Sequence, residues 1–234
     1  MKKAAIYLSL TLISVVMLYP LLWLIGASFK TNSEIFSTIW FMPESFDFSV
    51  YKSAWRTVTP YSMGHYFLNT FMIIVPKTVF AVFSSVLVAY GFARFDFPMK
   101  KPLFAALMLS MLMPSIVSVM PLYQLWSKSD LLDTYIPLTL PSLFACEGMF
   151  VFILIQFFKS VPKELDEAAR IDGCGTLRTL IHILVPCIRP AIVSIAVFTF
   201  LWTMNDFLTP LIMIQSVQKY PLSLAPVSYT HLRA

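Results

Sequence analysis

The residues of this chain best suited to chemistry are four acids and an arginine within ten positions: Glu164, Asp166, Glu167, Arg170 and Asp172, in the stretch ELDEAARIDGCG (Glu164–Gly175). Carboxylates beside a guanidinium at this density make ion pairs and charge-assisted hydrogen bonds with a partner surface. No nucleophile stands with a base, and His65, His182 and His231 lack metal-ligand spacing, so no reaction centre is legible. The chemistry this cluster predicts is recognition.

A short helix must position it. Pro162 suits a first helical turn, and Glu164, Asp166 and Glu167 complement the positive end of a helix dipole. Leu165, Ala168, Ala169 and Ile171 fall close to one face. Gly173 is placed to end the helix in a left-handed conformation, and Thr176 to cap a second helix running toward Pro186. A helix lying on lipid favours Lys and Arg on its polar face and bulky anchors opposite. Small alanines and the carboxylate of Glu167 favour docking against a protein instead.

The surroundings are apolar. Of the 234 residues, 58% are hydrophobic and 12% charged, where soluble domains carry roughly 25% charge. A mean hydropathy of +0.77 places the chain in a membrane. The net charge of +5 is dispersed rather than gathered into a stripe, which argues against nucleic-acid binding. Cys146, Cys174 and Cys187 are odd in number and form no C-x-x-C pair, so free thiols are expected. The apolar run after Lys2 and Lys3 continues to about Phe29 without a small-residue cleavage site, which suits a retained span rather than a secretory signal.

Crossing about 30 Å of hydrocarbon takes about 20 apolar residues. Five segments qualify: approximately 6–29, 66–92, 103–126, 135–158 and 188–208. All must be helical, because lipid offers no partner to an open backbone. With the N-terminus inside, ten lysines and arginines fall on inner segments and five on outer ones, so the N-terminus and the loop 160–186 are expected in the cytoplasm. The segment Lys30 to His65, with Pro43, Pro60, Trp40, Phe41, Tyr51 and Trp55, reads as an external cap with interfacial anchors. Pro20, Pro76, Pro114, Pro121 and Pro141 predict kinks within spans.

Glu167-Ala-Ala, three residues, Gly173, nine residues and Ile183-Leu-Val185-Pro186 resembles the EAA signature of binding-protein-dependent ABC importer permeases, with Val185 where Leu is usual. The stretches Asn69–Lys101, Met120–Trp126, Asp133–Phe144 and Met204–Met213 are similar to the maltose-type carbohydrate subfamily, and the likeness runs from about residue 5 to 225. It implies an all-α polytopic membrane protein, a type I ABC importer transmembrane domain with five of an expected six transmembrane helices and a cytoplasmic N-terminus. It further implies a permease subunit in the bacterial or archaeal cytoplasmic (inner) membrane that helps form the path for a carbohydrate. Glu167, Ala168, Ala169, Arg170, Asp172 and Gly173 become the ATPase-docking residues. The implied partners are a second homologous permease, an ABC ATPase dimer and an extracytoplasmic solute-binding protein.

No cofactor is expected on this chain, and the resemblance puts ATP and Mg on the partner ATPase. The sequence agrees: there is no G-x-x-x-x-G-K-[ST], PKT (Pro76–Thr78) lacks the glycines, and GCG (Gly173–Gly175) lacks the following Lys. Lys77 and Glu147 lie within the second and fourth spans, where a central charge costs about 2.5 to 3.5 kcal/mol, so both are expected to face the bundle interior. They are candidates either to meet solute or to pair with each other. Asn205 and Asp206, near the outer end of the fifth span, are equipped to hydrogen-bond hydroxyls, and Asp206 equally suits a membrane boundary. Phe150, Phe152 and Trp202 are suited to stacking on sugar rings or to helix packing.

Residues 1–225 thus read as one integral membrane permease domain. PVSYTHLRA (226–234) is neither apolar nor family-like and reads as a non-native tail standing where the family continues into a sixth span. A stand-alone ion-coupled secondary carrier is the alternative class, and it predicts coupling acids at midplane and no docking loop. A membrane-embedded enzyme would need a convergent polar set that Glu147, Lys77 and Asn205 do not make. An ABC permease for a non-sugar solute stays open.

Overall fold

The computed structural model describes residues 2–57 and 61–225, and it divides at Thr57/Val58 into two compact units. The expected tail, 226–234, lies outside the described residues. Among those residues every regular element is helical.

The first unit opens with α1 (Lys2–Ala27), in which Ile6–Ala27 is long and apolar enough to cross a membrane. Its apolar residues form no stripe, as suits a helix in contact with lipid on all sides. Two short helices follow, α2 (Asn32–Ser37), capped by the Thr31 hydroxyl, and α3 (Ser49–Thr57). Lys30 is buried, and its ammonium donates to Thr38 Oγ1 at 3.0 Å and to the Trp40 carbonyl. Edge-to-face contacts of Phe29 with Phe46, Phe48 and Tyr51 close the same loop. The segment expected to be an external cap is therefore partly helical and folded around one lysine.

The second unit is built on α4 (Met63–Arg94), an unbroken 32-residue helix that absorbs Pro76. Ala81, Ser85 and Ala89 recur every fourth residue along it and are at most 1% exposed. Small residues at that spacing let other helices approach closely. α4 accordingly packs against the later helices 148–160 and 189–205, and Ser84 Oγ donates to the Ser142 carbonyl at 2.7 Å.

The third segment is not a straight span. α5 (Lys100–Leu112) and α6 (Ser115–Lys128) meet at 103°, because Met113 and Pro114 are extended and proline disfavours helical geometry in the residue before it. The fourth segment comprises α7 (Ile136–Thr139), a 3₁₀ turn Leu140–Phe144 and α8 (Gly148–Ser160), together long and apolar enough to cross. Its interruption falls at Ala145, which is left-handed (φ 52°), and at Glu147. Gly148 allows this join to lie against α5: a Cβ there would meet Met111 Cγ and Ser110 Oγ at 3.1 Å.

After α9 (Glu164–Ile171) come α10 (Thr176–Thr179), a π turn Leu180–Leu184 and α11 (Val185–Cys187). α12 (Arg189–Asn205) follows at 80° to this α10–α11 arm. The fifth span expected at 188–208 therefore stops at Asn205. Asp206 turns the chain by accepting the Thr209 N–H, and α13 (Leu208–Met213) and a 3₁₀ turn Val217–Lys219 complete the unit. Among the described residues, three helices qualify as spans by length and composition, or up to five if each bent pair counts as one.

The main core joins α4, α8, the π turn and α12 through Ala89, Tyr90, Phe150, Leu154, Leu184 and Ile195. A smaller cluster of Ile73, Leu138, Met213 and Ile214 lies toward the other end. There the segment after α13 is strapped across the start of α4. Asn69 Nδ2 donates to the carbonyls of Gln218 and Tyr220 at 2.7 and 2.9 Å, and Thr70 Oγ1 accepts the Leu222 N–H at 2.8 Å.

Candidate functional site: the acidic loop and its seat

α9 carries Glu164, Asp166 and Glu167 in its first turn, as expected from the sequence, with Pro162 just ahead of it. Gly173 is left-handed (φ 76°), donating its N–H to the Arg170 carbonyl at 3.1 Å, while Cys174 donates to the Ala169 carbonyl at 2.8 Å. These two bonds close the last turn, and only glycine takes such a conformation without strain. Thr176 does not cap the next helix. Gly175 occupies that extended position and Thr176 is already helical, because the tight stop leaves one linking residue fewer than expected.

The two faces of α9 differ. Ala169 is 2% exposed and seats the helix on the unit, while Glu167, Ala168 and Arg170 face outward, followed by exposed Asp172 and Gly173. Ile171 is 87% exposed, so the apolar face read from the sequence is split: the alanine packs inward and the isoleucine is presented. Of the six candidate docking residues, five are exposed and Ala169 is buried beneath them.

Beneath them lies a seat that spacing did not reveal. Arg94, at the last position of α4, is 6% exposed, with its Nε 3.0 Å from Asp166 Oδ2. That approach lacks hydrogen-bond alignment, so the pair is held by charge. The same guanidinium donates through Nη2 to the Val161 carbonyl at 2.9 Å, and Tyr90 Oη donates to the Thr176 carbonyl at 3.3 Å. Arg94 read in the sequence only as a basic residue after a span. Its pairing with Asp166 is a tertiary fact that no local pattern records. Between α4 and the loop remains an open cavity of about 450 Å³, bordered by Tyr90, Arg94, Lys163, Asp166, Glu167 and Arg170.

The pathway candidates are distributed differently. Lys77 and Asp206 border one small cavity with Thr70, Ile73 and Thr203. Glu147 is half-buried at the interruption before α8 and forms no ion pair with Lys77, so the alternative that they neutralise each other is set aside. Asn205 is exposed and turns its amide back to the Leu201 carbonyl at 2.7 Å. Asp206 also accepts the Ser223 hydroxyl on its carbonyl, tying α12 to the strap. Phe150 and Trp202 stack on each other at 5.2 Å, which gives both rings a packing role. All three cysteines are free.

A helical bundle with span-length apolar helices and a charged surface helix turned at a left-handed glycine has the make-up of a multi-pass membrane protein. Residues 81–225 match the family described as the binding-protein-dependent transport system inner membrane component, and the chain belongs to that family. It is therefore a non-enzymatic membrane subunit of an ABC transporter, with ATP hydrolysis on a separate subunit. Among its relatives is the diacetylchitobiose uptake system permease protein NgcG of Streptomyces coelicolor, 31% identical over 94% of this chain and 72% of that one. The sn-glycerol-3-phosphate transport system permease protein UgpE of Pectobacterium atrosepticum is 30% identical over 84% of this chain and 71% of its own length. The fold is shared with a solved bacterial ABC transporter involved in import of the acidic polysaccharide alginate. That match has a TM-score of 0.75 at 21% identity and covers 95% of this chain and 77% of the other.

Proposed function

We propose that this chain is the permease subunit of an ATP-driven carbohydrate importer in a bacterial or archaeal cytoplasmic membrane. It lines the solute path with a second homologous permease and receives solute from an extracytoplasmic binding protein. The loop 160–186 faces the cytoplasm with the N-terminus and docks an ATPase dimer that holds ATP and Mg. The observation that carries this reading is the presentation of Glu167, Ala168 and Arg170 on a helix anchored by Ala169 and stopped at Gly173. Small side chains let a groove close over the helix, and the flanking charges give that contact its register. The carbohydrate assignment is supported by the diacetylchitobiose system of the NgcG relative.

The test is co-purification of the ATPase from the organism's own operon, followed by uptake of radiolabelled diacetylchitobiose into proteoliposomes holding the whole complex. ATPase capture by the unaltered chain, its loss in Glu167→Lys and ATP-dependent uptake support the reading. Uptake of glycerol 3-phosphate alone would keep the class and change the solute. Uptake driven by an ion gradient, with no ATPase attached, would overturn both.

A further inference from the structure

The docking loop has three routes into the bundle. Two are covalent, back to α8 through Val161–Lys163 and forward to α12. The forward route passes a π turn, the irregular residue Ile188 and an 80° bend before α12 begins, with Leu184 and Ile188 packed into the main core. The third route is direct. Arg94 holds Asp166 by charge and Val161 by a hydrogen bond, and Tyr90 holds Thr176, so both flanks of the loop are tied to the last turn of α4.

α4 runs from there without interruption for 32 residues, about 48 Å of helix. Lys77 borders a small cavity midway along it, and Asn69 and Thr70 grip the strap 218–222 near its other end. One rod thus joins the docking loop to the segment on the opposite face. Resting on the docking role proposed above, we infer that α4 is the helix that carries displacement of the loop to the outer strap, with Arg94 as the positioning residue that engages it. Arg94 acts through Asp166.

The experiment uses the assembled importer in nanodiscs, with Cys146, Cys174 and Cys187 changed to serine and one reporter, Leu68→Cys, on the exposed outer part of α4. A membrane-impermeant maleimide reports its reactivity with and without ATP and vanadate. The expected result is a nucleotide-dependent change in labelling rate that shrinks roughly threefold or more in Arg94→Gln and in Asp166→Asn, with the ATPase still attached. The double variant leaves no unpaired charge to destabilise the fold, and it should be no worse than either single one, because the two residues act as a unit. An unchanged nucleotide response in the double variant, or no response at Leu68→Cys in the parent, overturns the inference while docking stands. Failure of the ATPase to attach to the parent overturns the docking reading and this inference together.

Discussion

The carboxylate of Asp133 accepts the Ser216 backbone N–H at 2.8 Å and the Ser216 hydroxyl at 2.6 Å, fastening two loops more than eighty residues apart. Gln215 N–H adds a bond at 3.0 Å, and Lys219 Nζ lies 3.0 Å from the second oxygen. Burial opposes ionisation of Asp133, but the donors from Ser216, Lys219 and Gln215 outweigh it and hold the carboxyl well below the usual carboxylate range. A depressed pKa gives stability that is complete above the unfolded carboxyl's range and is lost only as pH falls through the folded value. Protection of the amides in 214–224 against hydrogen exchange, corrected for intrinsic rate, should therefore persist at mildly acidic pH. Asp133→Asn should remove it at neutral pH, at a cost of about 1–3 kcal/mol.

The two glycines around Cys174 should respond differently to the same change. Gly173→Ala places a side chain in a left-handed residue and should cost about 1–2 kcal/mol in a thermal melt of the purified complex, although no neighbour lies within 4 Å of the new Cβ. Gly175 has φ −72° and equally open surroundings, so Gly175→Ala should shift the melt little. Equal effects would mean that space, not backbone conformation, selects glycine at 173.

Gly148 lies at a close approach of α8 to α5. A Cβ would stand 3.1 Å from Ser110 Oγ and Met111 Cγ and 3.4 Å from the Leu107 carbonyl, so Gly148→Ala requires the neighbours to give by a few tenths of an ångström. Gly148→Val should overpack the contact at about 1–3 kcal/mol. Melting temperatures in the order glycine, alanine, valine, falling, would confirm the contact.

Asn69 spans two carbonyls of the strap. Asn69→Ala leaves both without that donor and should loosen 214–224 by about 1–3 kcal/mol without disturbing α9. Limited proteolysis checks this: faster cutting in the strap at an unchanged rate of cutting in 160–186.

The helical segments and the acidic helix α9 were legible because their signals are local. Hydropathy marked each apolar segment, and Pro162, the first-turn acids and Gly173 bracketed α9 to within two residues. The 103° turn at Met113 and Pro114 was legible only as a proline, since composition gives no angle. Glu147 read as a charge inside a span. It does lie within that span-length segment, at a helix interruption, for which the adjacent Gly148 was the available clue. Arg94 with Asp166 and Asp133 with Ser216 were illegible, because each joins residues distant in the chain and no local pattern names the partner.

The sharp angle between α5 and α6 bears on the bilayer itself. At 13 and 14 residues, each arm is about 20 Å long, well short of the roughly 30 Å between headgroups. Counted as one bent span, the pair crosses with a corner instead of a straight rod, and each arm alone is matched better by a thinner bilayer. Lipid tail length then becomes a variable of the transporter, and shorter tails should relieve the mismatch that longer ones impose.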